Sequence, residues 1–104
     1  MASKRSVKRS RRGQRVADIE FSQEFVADLK QVHRSSKQDE ILDRIDLLSV
    51  LPELGSRILA DSIKVRFGIH VRKLVVDPFE VIYEHFPERD LVLIVRLLHQ
   101  REVQ

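Results

Sequence analysis

Ile69-His-Val-Arg-Lys-Leu-Val-Val-Asp-Pro-Phe-Glu-Val-Ile-Tyr-Glu-His-Phe-Pro-Glu-Arg-Asp-Leu-Val-Leu-Ile-Val-Arg-Leu-Leu98 is the stretch that decides the fold. Asp77–Pro78 interrupts it once, because proline fixes φ and cannot donate to a sheet ladder. Pro87-Glu-Arg-Asp90 interrupts it again. Between the breaks lie Ile69–Val76, Phe79–Phe86 and Leu91–Leu98, rich in Val, Ile, Leu and aromatics at strand length. Connections this short force consecutive strands to run antiparallel, since a parallel pair needs a long crossover. The stretch therefore reads as a three-stranded antiparallel meander. Leu91–Leu98 is apolar on both faces apart from Arg96, which marks it as the central, most buried strand.

Working back toward the start, Arg15–Phe21 alternates, with Ala17, Ile19 and Phe21 on one face and Asp18 and Glu20 on the other. That is the pattern of a half-buried strand. Ser22 is placed to cap a helix, with Glu24 in its first turn, where an anion suits the helix dipole. Phe25, Val26, Leu29 and Val32 carry that helix to about Arg34. Ser36 with Asp39 matches a capping box. Ile41, Leu42, Ile45, Leu48 and Leu51 then form the apolar face of a second helix that stops before Pro52. Pro52-Glu-Leu-Gly-Ser56 is a turn, and Arg57–Arg66 fits either a short helical turn or an irregular connector. The two helices form a hairpin and supply the cover that the apolar sheet face requires. The expected fold class is α+β in two layers: an N-terminal strand, a helical hairpin, then the meander.

The charge is divided unevenly. The chain has 104 residues, no cysteine, 42% apolar residues and a formal net charge of +3. This bounds it to one small folded domain without disulfides or thiolate sites, as in a reducing cytoplasm. Seven of the 19 Lys/Arg lie in residues 1–15 with no acid, leaving twelve against 16 Asp/Glu, a body charge of −4. Residues 1–14 read as a flexible basic arm and 15–104 as the domain. Lys4, Arg5, Lys8, Arg9, Arg11, Arg12 and Arg15 could bind nucleic-acid phosphates through counterion release, or simply solubilise the chain. The acidic body argues against a broad nucleic-acid face on the domain itself. No apolar run approaches membrane-spanning length, and no apolar stretch follows the basic start as a secretory leader requires.

The ordered set of segments resembles the RelE/ParE superfamily of toxins from type II toxin–antitoxin, or plasmid stabilisation, systems. The residues that carry the resemblance are Val16-Ala-Asp-Ile-Glu-Phe-Ser22, Leu51-Pro-Glu-Leu-Gly55, Val71-Arg-Lys-Leu74, Phe79-Glu-Val-Ile-Tyr83 and Ile94-Val-Arg-Leu-Leu-His-Gln-Arg101. It implies a cytoplasmic growth inhibitor neutralised by a cognate antitoxin, with operator DNA bound through the antitoxin complex and no cofactor. RelE-like members cleave mRNA in the ribosome, whereas ParE-like members poison DNA gyrase.

Cleavage of RNA needs a general acid or base and several cations converging on one phosphate. The resemblance places Lys73, Arg101 and His99 in that catalytic role if the chain is RelE-like. It places Arg72, Lys73 and Arg101 on the surface that meets target or antitoxin. The arginine expected after the third-strand aromatic is replaced by Glu80, and no terminal helix with a late tyrosine follows. Both departures favour the ParE-like alternative, and a non-toxic interaction module is a third reading.

Each residue also has a plain structural reading. His99 can satisfy a backbone group at a strand end, and Tyr83 can pack in the core with its hydroxyl bonded. Arg72 can sit on a solvated sheet edge. An unpaired Arg96 would be costly inside an apolar strand, so it is expected to meet Glu80 or Glu84 across the sheet. His33 on the first helix and His70 and His85 on strands make no metal-ligand cluster, so no metal is inferred.

Overall fold

The computed structural model describes residues 16–103. The basic arm and its cations, Lys4 to Arg15, lie outside the described residues. In chain order the elements are β1 (Asp18–Phe21), α1 (Gln23–Lys30), α2 (Ser35–Asp46), α3 (Asp61–Phe67), β2 (Arg72–Val76), β3 (Phe79–Phe86) and β4 (Leu91–His99). Short 3-10 turns at Leu47–Ser49, Pro87–Arg89 and Gln100–Glu102 join or follow them. Among the described residues no helix is long and apolar enough to cross a membrane.

The strands form one mixed sheet in the order β1-β4-β3-β2. The meander is antiparallel as expected, with Leu74 opposite Val81 and Val81 opposite Leu97. Its first turn is the two residues Asp77–Pro78, joined by a cis peptide bond. β1 pairs with β4 in parallel, setting Ile19 beside Val92 and Phe21 beside Ile94. β4 is thus interior, as its apolar faces required.

One sheet face packs under α1 and α2. Ile19, Phe21, Phe25, Ile41, Ile45, Leu48, Val81, Tyr83 and Val92 are buried there in one continuous core. The other face carries a second, smaller cluster of Leu59, Ile63, Val71, Ile82 and Leu98. The ambiguous connector resolves into α3, whose Ile63 and Phe67 turn toward that face one helical turn apart, with Leu59 just before the helix joining them. Gly68 ends α3 with φ +87, the left-handed conformation that suits a glycine cap, and its N–H bonds the Lys64 carbonyl.

Ser22 does cap α1: its Oγ accepts from the Phe25 N–H at 2.9 Å and donates to the Val95 carbonyl at 2.6 Å. α1 ends at Lys30, short of the expected Arg34, because the chain turns to bury Val32. Gln38 of α2 donates to the carbonyls of Leu29 and Val32 at the end so exposed. His33 accordingly lies in the α1–α2 connection and not on the helix. The Ser36–Asp39 box does not form, since α2 starts two residues earlier, at Ser35, with Arg34 as its cap. His70 falls in the bend before β2, which begins at Arg72 because Gly68 to His70 are spent leaving α3.

Candidate functional site

Two cationic loci emerge, one at each side of the meander. The first is built on the edge strand β2. Ser56 bridges to Lys73, with N–H···O bonds of 2.8 and 2.9 Å in the two directions, and this carries the Pro52–Gly55 turn onto the sheet edge. The buried Tyr83 hydroxyl accepts from the Gly55 N–H at 2.7 Å and donates to the Pro52 carbonyl at 2.9 Å. Arg72 donates to the Gly55 carbonyl at 3.0 Å and reaches that of Glu53 at 3.4 Å. The turn is fixed at four points, yet it presents Leu51 and Leu54 to solvent, 55% and 45% exposed. Arg72 also lines an open cleft with Arg57, His70, Glu84, His85 and Glu88. Among the described residues no three His, Cys, Asp or Glu are grouped to hold a metal ion.

Burial raises the Tyr83 phenol above its ordinary 10.0, the Gly55 hydrogen bond and the Arg72 charge pulling the other way. A raised value means the folded phenol keeps its proton when the unfolded one has lost it. The stability it contributes is therefore complete below pH 10 and lost as pH rises through the folded value. Tyr83 is the chain's one tyrosine and there is no tryptophan, so near-ultraviolet absorbance reads it alone. The phenolate band should appear only above pH 10 in the folded protein and at about 10 in urea. Identical titrations in the two states would contradict the buried, doubly bonded hydroxyl.

The second locus lies where β4 ends. His99 caps the Gln100–Glu102 turn: its Nδ1 accepts from the Arg101 N–H at 3.1 Å, and Glu102 accepts from the His99 N–H at 3.2 Å. The ring meets Phe79 edge-on, with centroids 5.4 Å apart. The structure thus joins His99 and Arg101 through the Arg101 backbone, with the Arg101 residue exposed. Lys73 is not part of that group. Lys73 is level with Ile82 and His99 with Phe79, so two strand spacings and three residues separate them, about 14 Å between Cα atoms.

Two acidic residues complete the picture, and sequence reasoning misplaced one and missed the other. Arg96 does not meet Glu80 or Glu84. Asp28 of α1 takes its Nε at 2.6 Å and its second guanidinium nitrogen at 3.0 Å, and accepts the Leu97 N–H at 2.9 Å. The reason is topological: β1 stops beside Ile94, so the β4 edge beyond it needs acceptors that α1 supplies. Asp28 holds the Arg96 guanidinium firmly in its charged form. Glu80 is left between Val75 and Leu98, buried, with Oε1 unbonded. Asp28 sits three residues after Phe25 on a helix read only for its apolar face, so no pattern in the sequence marked it.

The family described as ParE toxin of type II toxin-antitoxin system, parDE, matches residues 19–104. Among solved structures, the chain is similar to one in the toxin–antitoxin complex RelBE2 from Mycobacterium tuberculosis. The TM-score is 0.64 at 15% identity, covering 81% of this chain and 96% of that one. The likeness is one of fold. No curated protein matches the chain.

Proposed function

We propose that this chain, which belongs to the ParE toxin family of type II toxin–antitoxin systems, arrests growth in the cytoplasm by binding a protein target, DNA gyrase, and is neutralised by a cognate antitoxin. The observation that carries the binding reading over RNA cleavage is the placement of Lys73 and His99 on the sheet. Lys73 is level with Ile82 of the second cluster and His99 with Phe79 on the main-core side, so the two side chains leave opposite faces of the sheet and do not converge on one scissile phosphate. Glu80 adds a buried carboxylate on the strand that runs between them. The target-facing surface is assigned to Arg72, Lys73 and the fixed Pro52–Gly55 turn, with Arg101 at its far side. Exposed leucines on a rigid turn make a binding feature, since a turn needed only as a connection requires no buried tyrosine to hold it. The basic arm contributes phosphate contacts when operator DNA is bound with the antitoxin.

The test is a pair of assays on purified protein. Supercoiling by gyrase should stop at a toxin concentration that leaves mRNA on ribosomes uncut. A Lys73→Ala, Arg101→Ala variant should lose inhibition by about tenfold or more with its fold intact, as expected for contacts worth at least 1.4 kcal/mol. Arg72 is left in place because it also holds the turn. Codon-phased cleavage of mRNA with normal supercoiling would instead establish the RelE-like nuclease.

A further inference from the structure

We infer that Glu80 is a cation socket, a carboxylate left unpaired inside this chain to receive an arginine of the antitoxin. Glu80 is only 6% exposed, and its Oε1 has no hydrogen-bond partner. No Lys or Arg among the described residues is within ion-pair distance of it. Buried carboxylates are ordinarily paired, because desolvation without a partner is costly. Arg96 is committed to Asp28 and Arg72 to the Gly55 carbonyl, and Lys73, two residues from Val75 on the same face, forms no ion pair with Glu80. An apolar residue of this shape would suit the neighbourhood of Leu98 and Val75 better if the chain acted alone.

The approach to the socket is set by the sheet. Leu98, on one side of Glu80, is fully buried, while Val75, on the other, is 39% exposed on the edge strand. The outer edge of β2 is held at Lys73 by Ser56 and at Asp77 by the Lys37 ammonium, which donates to its carbonyl. Val75 lies in the gap between those ties. A residue docked outside Val75 stands two strand spacings from Glu80, about 10 Å, a span that arginine and glutamate side chains cover between them. The chain's own arm is the less suitable donor. Its root precedes β1, which is the sheet edge opposite β2, and Asp18 is level with Leu91 and Phe86, six residues or about 20 Å along β3 from Glu80, so the arm would have to cross the sheet to enter beside Val75. The donor is therefore assigned to a partner segment with an arginine beside an apolar residue that covers Val75. The antitoxin as its source rests on the toxin reading; the socket does not.

The experiment follows heat unfolding of the full chain with N-acetyl-arginine amide as probe and the neutral citrulline analogue as control. The wild-type midpoint should rise with the arginine probe and not with citrulline. Glu80→Gln should start about 4–8 °C higher and respond to neither. Equal responses to both probes, or an unchanged response in Glu80→Gln, would overturn the socket. A response that appears only when the arm's seven cations are replaced by Gln would show the arm already seated there and overturn the partner assignment. Against the purified antitoxin, Glu80→Gln should bind at least tenfold more weakly; unchanged affinity would remove the antitoxin as donor. The probe titration needs neither gyrase nor antitoxin, so its failure is distinct from failure of the toxin reading.

Discussion

Alanine at Gly55 should be the most damaging single methyl group that this fold can be given. A Cβ there would lie 2.6 Å from the Tyr83 hydroxyl oxygen, 2.7 Å from Cε1 of the same ring and 2.7 Å from the Lys73 carbonyl oxygen. None of these atoms can retreat cheaply. The Tyr83 ring is fully buried in the main core, and the Lys73 carbonyl is tied to Ser56. Overpacking of this kind costs about 1–3 kcal/mol. If the turn lifts off instead, the Gly55 N–H and the Pro52 carbonyl lose the hydroxyl, at about 1–3 kcal/mol for each buried group left unsatisfied. The expected total is roughly 3–5 kcal/mol, a large share of the stability of a domain this size. Urea unfolding measures it. Tyr83→Phe alone should cost about 1–3 kcal/mol, and the double variant should fall well short of the sum, because both changes release the same turn. Strict additivity would mean that the turn is held by something other than this pair.

Asp28→Ala is the second large effect. The carboxylate serves three donors at once, two on Arg96 and the Leu97 N–H. Removing it strands a guanidinium beside an interior strand and opens the β4 edge where β1 has ended. Breaking a fully buried pair costs about 3–5 kcal/mol. Here the side chains keep 26% and 18% of their exposure, so about 2–3 kcal/mol is expected after that discount. Asp28→Asn should recover about half, since its amide oxygen can still accept one bond. Replacing both partners, Asp28→Ala with Arg96→Leu, should be milder than Asp28→Ala alone, because no charge is then left unpaired. A double variant less stable than the single one would show that the pair does more than satisfy itself.

The contrast between these two sites explains what could be read in advance. The meander was legible because Asp77–Pro78 and Pro87–Asp90 punctuate apolar runs, and turn chemistry is local. The interior place of β4 followed from its two apolar faces, and the Ser22 cap from a residue type at a fixed offset. Partners chosen by the tertiary fold were not legible. Nothing in Asp18–Phe21 says that it runs parallel to β4, so nothing said that α1 would bring Asp28, not Glu80, to Arg96. The helical state of α3 was hidden because Leu59 and Ile63 needed a second core to face, and the sheet had been assigned only one cover. The candidate surface divides the same way. The expectation for Arg72 and Lys73 came from the resemblance and from their strand position, while the link from Tyr83 to the Leu51–Gly55 segment, which joins residues 28 and 31 positions apart, had no local signal.

The parallel pairing of β1 with β4 also governs the protein's birth. Residues 18–21 wait for residues 91–94 before they have a neighbour. A nascent chain that has emerged only as far as Phe86 holds a hairpin, three short helices and an unmatched first strand, with the sheet's middle missing. Long-range pairings of this kind form late and leave apolar edges open until they do. A ribosome that halts before β4 therefore releases material for proteolysis and not a folded domain.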